Sequence, residues 1–165
     1  MDGLMAIPSI LLAIAMVSLF GASVLIVIIA IVIPEVPRVV RLVRAVVMAT
    51  REQPYVEAAV AGGAKWWKVL VRHILPPTSP PLIVQATYIC ASAILVEAAL
   101  SVLGAGTPPE IPTWGNMIAS DRIYLGRAPW CIFYPGIALA IVVLAVNLVG
   151  DGLRDRLDPR IARRM

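Results

Sequence analysis

Long apolar runs alternate with short polar gaps along this chain. Ile7 to Ile33 is the first run, Leu82 to Leu103 the second with Glu97 its one formal charge, and Trp130 to Gly150 the third without any charge. The second and third each match the ~20 apolar residues that carry a helix across a ~30 Å hydrocarbon core. At ~1.5 Å per residue the first would make a helix of ~40 Å, too long for one upright span. Gly21-Ala22-Ser23 near its middle supplies a turn. The block therefore reads either as one tilted helix or as two short crossings, the second running on through Pro34 and Pro37. The pattern predicts an all-α integral membrane protein, a polytopic helical bundle.

Composition agrees. Of 165 residues, 60% are hydrophobic and 15% charged, with a mean hydropathy of +0.89. A soluble domain carries roughly 45–50% apolar and about 25% charged residues. A soluble enzyme, a disordered chain and a disulfide scaffold are all excluded. The formal net charge of +4 does not point to nucleic acid, because the basic residues sit beside the apolar runs as membrane-face anchors. Between Pro34 and Pro81, Arg38, Arg41, Arg44, Arg51, Lys65, Lys68 and Arg72 outnumber Glu35, Glu52 and Glu57. The tail from Asp151 carries Arg154, Arg156, Arg160, Arg163 and Arg164. The Gly104–Pro129 loop has only Arg122 and Arg127, balanced by Glu110 and Asp121. The positive-inside rule then places the first two segments in the cytoplasm and the third outside. The N-terminus has Asp2 in place of a basic region, and its apolar run is too long for a signal peptide. Cys90 and Cys131 are expected at different depths, which argues against a disulfide. Neither has a metal-ligand partner at suitable spacing, so no metal or cofactor is expected.

The richest segment is 54–81. Pro54 suits the first position of a helix and Glu57 its positive end. Ala58, Ala59 and Ala61 are small helix formers, and Gly62-Gly63 ends or bends the element. Lys65 to Ile74, with Trp66, Trp67, Val69 and Leu70 among Lys68, Arg72 and His73, reads as an amphipathic piece lying at the membrane interface. Pro76 and Pro77 are expected to stop it, and Pro80-Pro81 to open the next span. A short helix with a bare, small-residue face either enters a cleft in a soluble partner or packs on the protein's own helices.

The spacing bears on that choice. Glu57-Ala58-Ala59, three residues, Gly63, nine residues, then a stretch ending Leu75-Pro76 resembles the EAA loop of ABC-importer permeases. His73 departs from the general pattern, which has Ile there, yet Arg72-His73-Ile74-Leu75-Pro76 is similar to the run in the dipeptide/oligopeptide/nickel branch. Arg41 to Arg44, Glu97 to Gly104, Pro112 to Met117 and Asn147 to Asp155 resemble the same branch, in its C-type subunit. The resemblance implies a type I importer fold and pairing with a second permease subunit. It also implies docking on two cytoplasmic ATP-binding subunits, delivery by an external solute-binding protein, and an inner-membrane location. Glu57, Ala58, Ala59, Gly63, Leu75 and Pro76 fall on the ATPase-coupling motif.

It further implies that the first block is two crossings, giving helices at 4–20 and 23–50, a coupling loop at 54–81 and a span at 82–103. An external loop at 104–129, a span at 130–150 and a cytoplasmic tail at 151–165 follow, with both termini cytoplasmic. Family members have six spans and this sequence matches the last four, so a C-terminal portion is expected. The implied function is import of peptides or related small solutes, nickel among them. The alternatives are a nucleotide-independent channel or half-transporter, and a truncated membrane adaptor that does not transport.

Other polar residues keep two readings. Glu97 is either anchored by a partner such as Ser101, one turn on, or part of a translocation path. Gln85, Tyr88 and Ser92, at helical spacing, either line that path or pack as interhelical hydrogen-bonding groups. Asn147 carries the same ambiguity. Trp114, Tyr124 and Trp130 read as interfacial anchors. Enzyme signatures are missing: Gly62-Gly63-Ala64-Lys65 is followed by Trp66 where a phosphate loop has Ser or Thr, and His73 is the only histidine. ATP hydrolysis is expected on partner subunits.

Overall fold

The computed structural model describes residues 8–157. Its helices are α1 (Ser9–Phe20), α2 (Val24–Arg51), α3 (Pro54–Ala61), α4 (Trp66–Val69), α5 (Leu75–Val102), α6 (Trp114–Asp121) and α7 (Trp130–Leu157). No strand occurs among the described residues. The start of the helix expected at 4–20, and residues 158–165 of the expected tail, lie outside the described residues.

The first apolar block divides at Gly21, whose φ of 86° is open to glycine and costly for other residues. The Gly21 N–H closes α1 on the Val17 carbonyl at 2.9 Å. After Ser23 the chain starts α2, which runs through Pro34 and Pro37 to Arg51.

At the other prolines the structure corrects the sequence reading. Pro76 and Pro77 do not stop a helix, and no new one opens at Pro80-Pro81. Trp66 to Val102 is a single helix of 37 residues, with a π turn at Leu70–Ile74 between α4 and α5. A proline ring clashes with the carbonyl four residues back and offers that carbonyl no N–H. In the wide turn the Leu75 N–H reaches back five residues to the Leu70 carbonyl. That shift loosens the backbone just where the Pro76 and Pro77 rings must fit. Thr78 Oγ1 donates to the Ile74 carbonyl at 2.7 Å and Ser79 Oγ to the Leu75 carbonyl at 3.1 Å, reinforcing a stretch short of N–H donors. The span expected at 82–103 is thus the distal part of a longer helix. Likewise α7 continues past Gly150 to Leu157, and the 104–129 loop contains α6 and a 3₁₀ turn at Arg122–Tyr124.

The described residues form two compact units, 8–37 with 88–148 and 38–87 with 149–157. The first has a core of Ala13, Val17, Val27, Ala30 and Leu100. The second has a smaller core of Val56, Val69 and Ile74, flanked by Val47 and Ala64. Trp66–Val102 and Trp130–Arg156 are each long and apolar enough to cross a membrane, and only 6% of either apolar window is buried. On α7, Ile137, Ile141, Leu144 and Leu148 are all exposed. Keeping such side chains in water would cost roughly 1.5–3 kcal/mol each. Lipid or neighbouring helices are the surroundings that such a surface fits.

Candidate functional site

The second unit holds an elbow built by α3, α4 and the π turn. Gln53, in extended conformation, leads into α3, Pro54 occupies its first turn, and Glu57 follows in the same turn. The helix closes with both bonds of a Schellman cap: Gly63 N–H to the Val60 carbonyl at 3.0 Å, and Ala64 N–H to the Ala59 carbonyl at 3.1 Å. Gly63 takes the left-handed φ of 75° that this cap requires. Val56, 2% exposed, anchors α3 against Val69 and Ile74; burying it contributes roughly 1.5–3 kcal/mol. With that side turned inward, Glu57, Ala58, Val60 and Ala61 are left exposed and Ala59 half-buried. Beside α3 an open cleft of about 510 Å³ is lined by Met48, Arg51, Glu52, Val56, Glu57, Val60 and Ala61.

His73 lies in the π turn, its ring stacked on Tyr55 of α3 with centroids 6.4 Å apart and planes at 26°. Half-buried, the ring links α3 to the turn that leads into α5. Its Nδ1 is buried without a hydrogen-bond partner. Leu75 and Pro76 follow directly, exposed at the start of α5. The structure therefore gathers Glu57, Ala58, Ala59 and Gly63 on one capped helix and sets Leu75 and Pro76 beyond the π turn.

The first unit holds a polar cluster centred on one carboxylate oxygen. Glu97 Oε1 accepts hydrogen bonds from Ser101 Oγ at 2.8 Å, Thr107 Oγ1 at 3.1 Å and Thr113 Oγ1 at 3.2 Å. Thr113 is also the N-cap of α6, accepting from the Asn116 N–H at 3.1 Å. The Asn116 amide in turn donates to Thr107 Oγ1 at 3.1 Å and to the carbonyls of Thr107, Pro108 and Ile111 at 2.9–3.3 Å. Two glycines permit the close approach. A Cβ on Gly115 would lie 2.7 Å from Ala98 Cα, and one on Gly106 would collide with Ser101. The segment after α5 is thereby folded back onto the last turns of that helix.

The Ser101 partner was legible in the sequence from its one-turn spacing to Glu97. Thr107, Thr113 and Asn116 were not singled out. The available signal was Thr113-Trp-Gly-Asn116, a capping threonine followed three residues later by a side-chain amide, close to a capping box. Of the other polar positions on α5, Ser92 Oγ donates back to the Ile89 carbonyl at 3.0 Å, Tyr88 is exposed and Gln85 half-buried. None of the three bonds to Glu97. The Asn147 amide donates to the Val143 carbonyl one turn back. Cys90 and Cys131 are free thiols. Among the described residues no group of three or more His, Cys, Asp or Glu side chains is placed to hold a metal ion.

Comparison with known proteins adds to this geometry. Residues 1–163 match the family described as binding-protein-dependent transport system inner membrane component. The chain is 62% identical to a "probable peptide ABC transporter permease protein" of Sinorhizobium fredii, over 99% of this chain and 56% of that protein. It is 46% identical to the dipeptide transport system permease protein of Alkalihalophilus pseudofirmus, over 97% of this chain and 53% of that one. It is 47% identical to the di/tripeptide transport system permease protein of Pseudomonas aeruginosa, over 98% and 53% respectively. The chain spans about half the length of the curated relatives it matches.

Proposed function

The chain belongs to the family of binding-protein-dependent transport system inner membrane components, and from that premise we propose that it serves as a permease subunit of an ATP-driven importer of peptides. Residues 54–76 are its cytoplasmic coupling element. The observation that carries this reading is α3 itself. It is a rigidly capped helix whose Glu57, Ala58 and Ala61 face outward while Val56 locks it to the body of its own unit. Small side chains let a partner's surface come close to the backbone, and the Gly63 cap fixes the angle of entry. Because α4, the π turn and α5 form one uninterrupted helix, a displacement of α3 by a partner acts on an element continuous with the apolar run.

In this proposal two ATP-binding subunits hydrolyse ATP on the cytoplasmic side, a second permease subunit completes the pore, and an external binding protein delivers the solute. Both termini face the cytoplasm. The peptide substrate is the class named for the relatives. The domain limits proposed are those of the four-span reading, with the coupling loop at 54–81 and the external loop at 104–129. Tyr88 and Ser92, with Gln85 one turn before them on α5, are proposed to face the translocation path. Glu97, with three hydroxyl donors on one oxygen, is proposed to hold the external segment at the path's end.

The test is co-purification. Glu57→Lys and Gly63→Glu should each reduce recovery of the ATP-binding subunits with the membrane complex at least severalfold while membrane insertion is unchanged. Full recovery with both variants refutes the coupling role. Uptake of a labelled dipeptide by the complete complex addresses the substrate class.

A further inference from the structure

The coupling reading assigns α3 to the ATP-binding subunit but leaves a second surface of the elbow unused. On α4 and the π turn, Val69 and Ile74 point into the small core, being 6% and 9% exposed. Around them Trp66 at 78% exposure, Trp67 at 54%, Leu70 and Val71 are left uncovered. Lys65, Lys68 and Arg72, spaced three and four residues apart, form an exposed basic stripe next to them. Two adjacent tryptophans in the open are costly unless something covers them.

A bilayer surface is the first candidate, since tryptophan and basic residues favour membrane interfaces. Distance argues against it. Trp66 lies on the same helix as Leu82, where the span proposed at 82–103 begins, sixteen positions earlier. At ~1.5 Å per residue this is about 24 Å of helix. Even at a tilt of about 40°, the upper end for membrane helices, roughly 18 Å remains along the membrane normal. The polar headgroup layer adds only about 5–8 Å on each side. The tryptophans thus stand out in the cytoplasm, at the level of whatever receives α3. The Val56–Val69–Ile74 core makes α3 and α4 one rigid piece, so a subunit that seats α3 also meets Trp66 and Trp67.

We propose that Trp66 and Trp67, flanked by Lys65, Lys68 and Arg72, form a second docking surface that seats in an apolar pocket with an acidic rim on the ATP-binding subunit. This rests on the coupling reading and adds to it the chemistry of the partner face. Tryptophan is the side chain most enriched at interface hot spots, and charge at the rim acts mainly through association rate and salt dependence.

The experiment uses the full membrane complex in lipid nanodiscs, with every tryptophan of the complex and of the ATP-binding subunits other than Trp66 and Trp67 replaced by Phe, Trp114 and Trp130 among them, and purified ATP-binding subunits as the probe. Brominated phospholipids should leave the remaining tryptophan emission unquenched, and adding the ATP-binding subunits should shift it to the blue. Trp66→Ala with Trp67→Ala should weaken ATP-binding-subunit affinity at least about tenfold, while Trp66→Phe with Trp67→Phe retains most of it. Lys65→Glu, Lys68→Glu and Arg72→Glu together should weaken it and flatten its salt dependence, whatever the content of anionic lipid. Quenching by brominated lipid with no response to the ATP-binding subunits would overturn the proposal in favour of a lipid contact. Emission already blue in the paired permeases, with no further shift on adding the ATP-binding subunits, would overturn it in favour of permease pairing. Unchanged affinity in both the alanine and the charge-reversal variants would also overturn it. If Gly63→Glu still abolishes binding in that last case, only the second surface fails; if Gly63→Glu binds normally as well, the coupling reading falls with it.

Discussion

Replacing Glu97 by alanine removes the acceptor on which three hydroxyls converge. Ser101, at 4% exposure, and Thr107, at 9%, are buried, and water has little access to replace the lost partner. A hydrogen bond contributes about 1 kcal/mol net, and a buried donor left unsatisfied costs about 1–3 kcal/mol. Ser101 escapes part of that cost, because its hydroxyl can turn to the backbone carbonyl one turn back. Thr107 and Thr113 have no such intrahelical fallback. The expected loss is about 3 kcal/mol, a factor of roughly a hundred in the equilibrium for opening residues 104–121. Glu97→Gln keeps an acceptor oxygen and should cost about 1 kcal/mol.

Amide hydrogen exchange in the complete complex reads this directly. The Ala105 N–H, bonded to the Leu100 carbonyl at 2.8 Å, and the Met117 N–H, bonded to the Thr113 carbonyl at 3.0 Å, should lose roughly a hundredfold in protection with Glu97→Ala. The Thr78 region should stay as in the parent. If protection of Ala105 and Met117 falls less than about threefold, the carboxylate does not hold the segment, and the Asn116 amide carries it alone.

Other expectations follow from individual contacts. Thr113→Val removes both the α6 cap and one bond to Glu97 and should cost about 1–2 kcal/mol, read by the same exchange experiment. Gly115→Ala places a methyl 2.7 Å from Ala98 Cα and should cost about 1–3 kcal/mol, seen as a lower unfolding midpoint of the detergent-solubilised complex. Gly63→Ala meets no neighbour but strains the left-handed cap by about 1 kcal/mol, so ATP-binding-subunit affinity should fall by no more than about tenfold. Ser120→Cys, in a chain with Cys90 and Cys131 replaced, should react with an impermeant thiol reagent from outside intact cells; reaction only after the cytoplasm is opened would invert the topology.

The all-helical class and the two long apolar helices were legible because each residue in those runs carries the same signal. The end of α3 was legible because local rules set it: Gly62-Gly63 after a run of small helix formers marks a helix end, and Gly63 closes it as a Schellman cap. The continuity from Trp66 to Val102 was not. Pro76, Pro77, Pro80 and Pro81 are strong local stop signals, yet the helix runs through them, with a five-residue backbone reach just before Pro76 and side-chain bonds from Thr78 and Ser79. That one difference sets Trp66 and Trp67 on the same helix as Leu82, fifteen to sixteen positions before it. The cluster on Glu97 was half legible. Its Ser101 partner lies one helical turn away, whereas Thr107 and Thr113 come ten and sixteen residues later through a loop whose return depends on the bare backbone of Gly106 and Gly115.

Cross-linking at Ala58 tests the central claim most directly. In a complete complex whose native cysteines are replaced, Ala58→Cys should form a short-span cross-link to an ATP-binding subunit carrying cysteines along its permease-facing groove. ATPase stimulation by the loaded binding protein should be lost until the link is reduced. No cross-link from Ala58→Cys across the whole groove, with stimulation intact, would contradict the account.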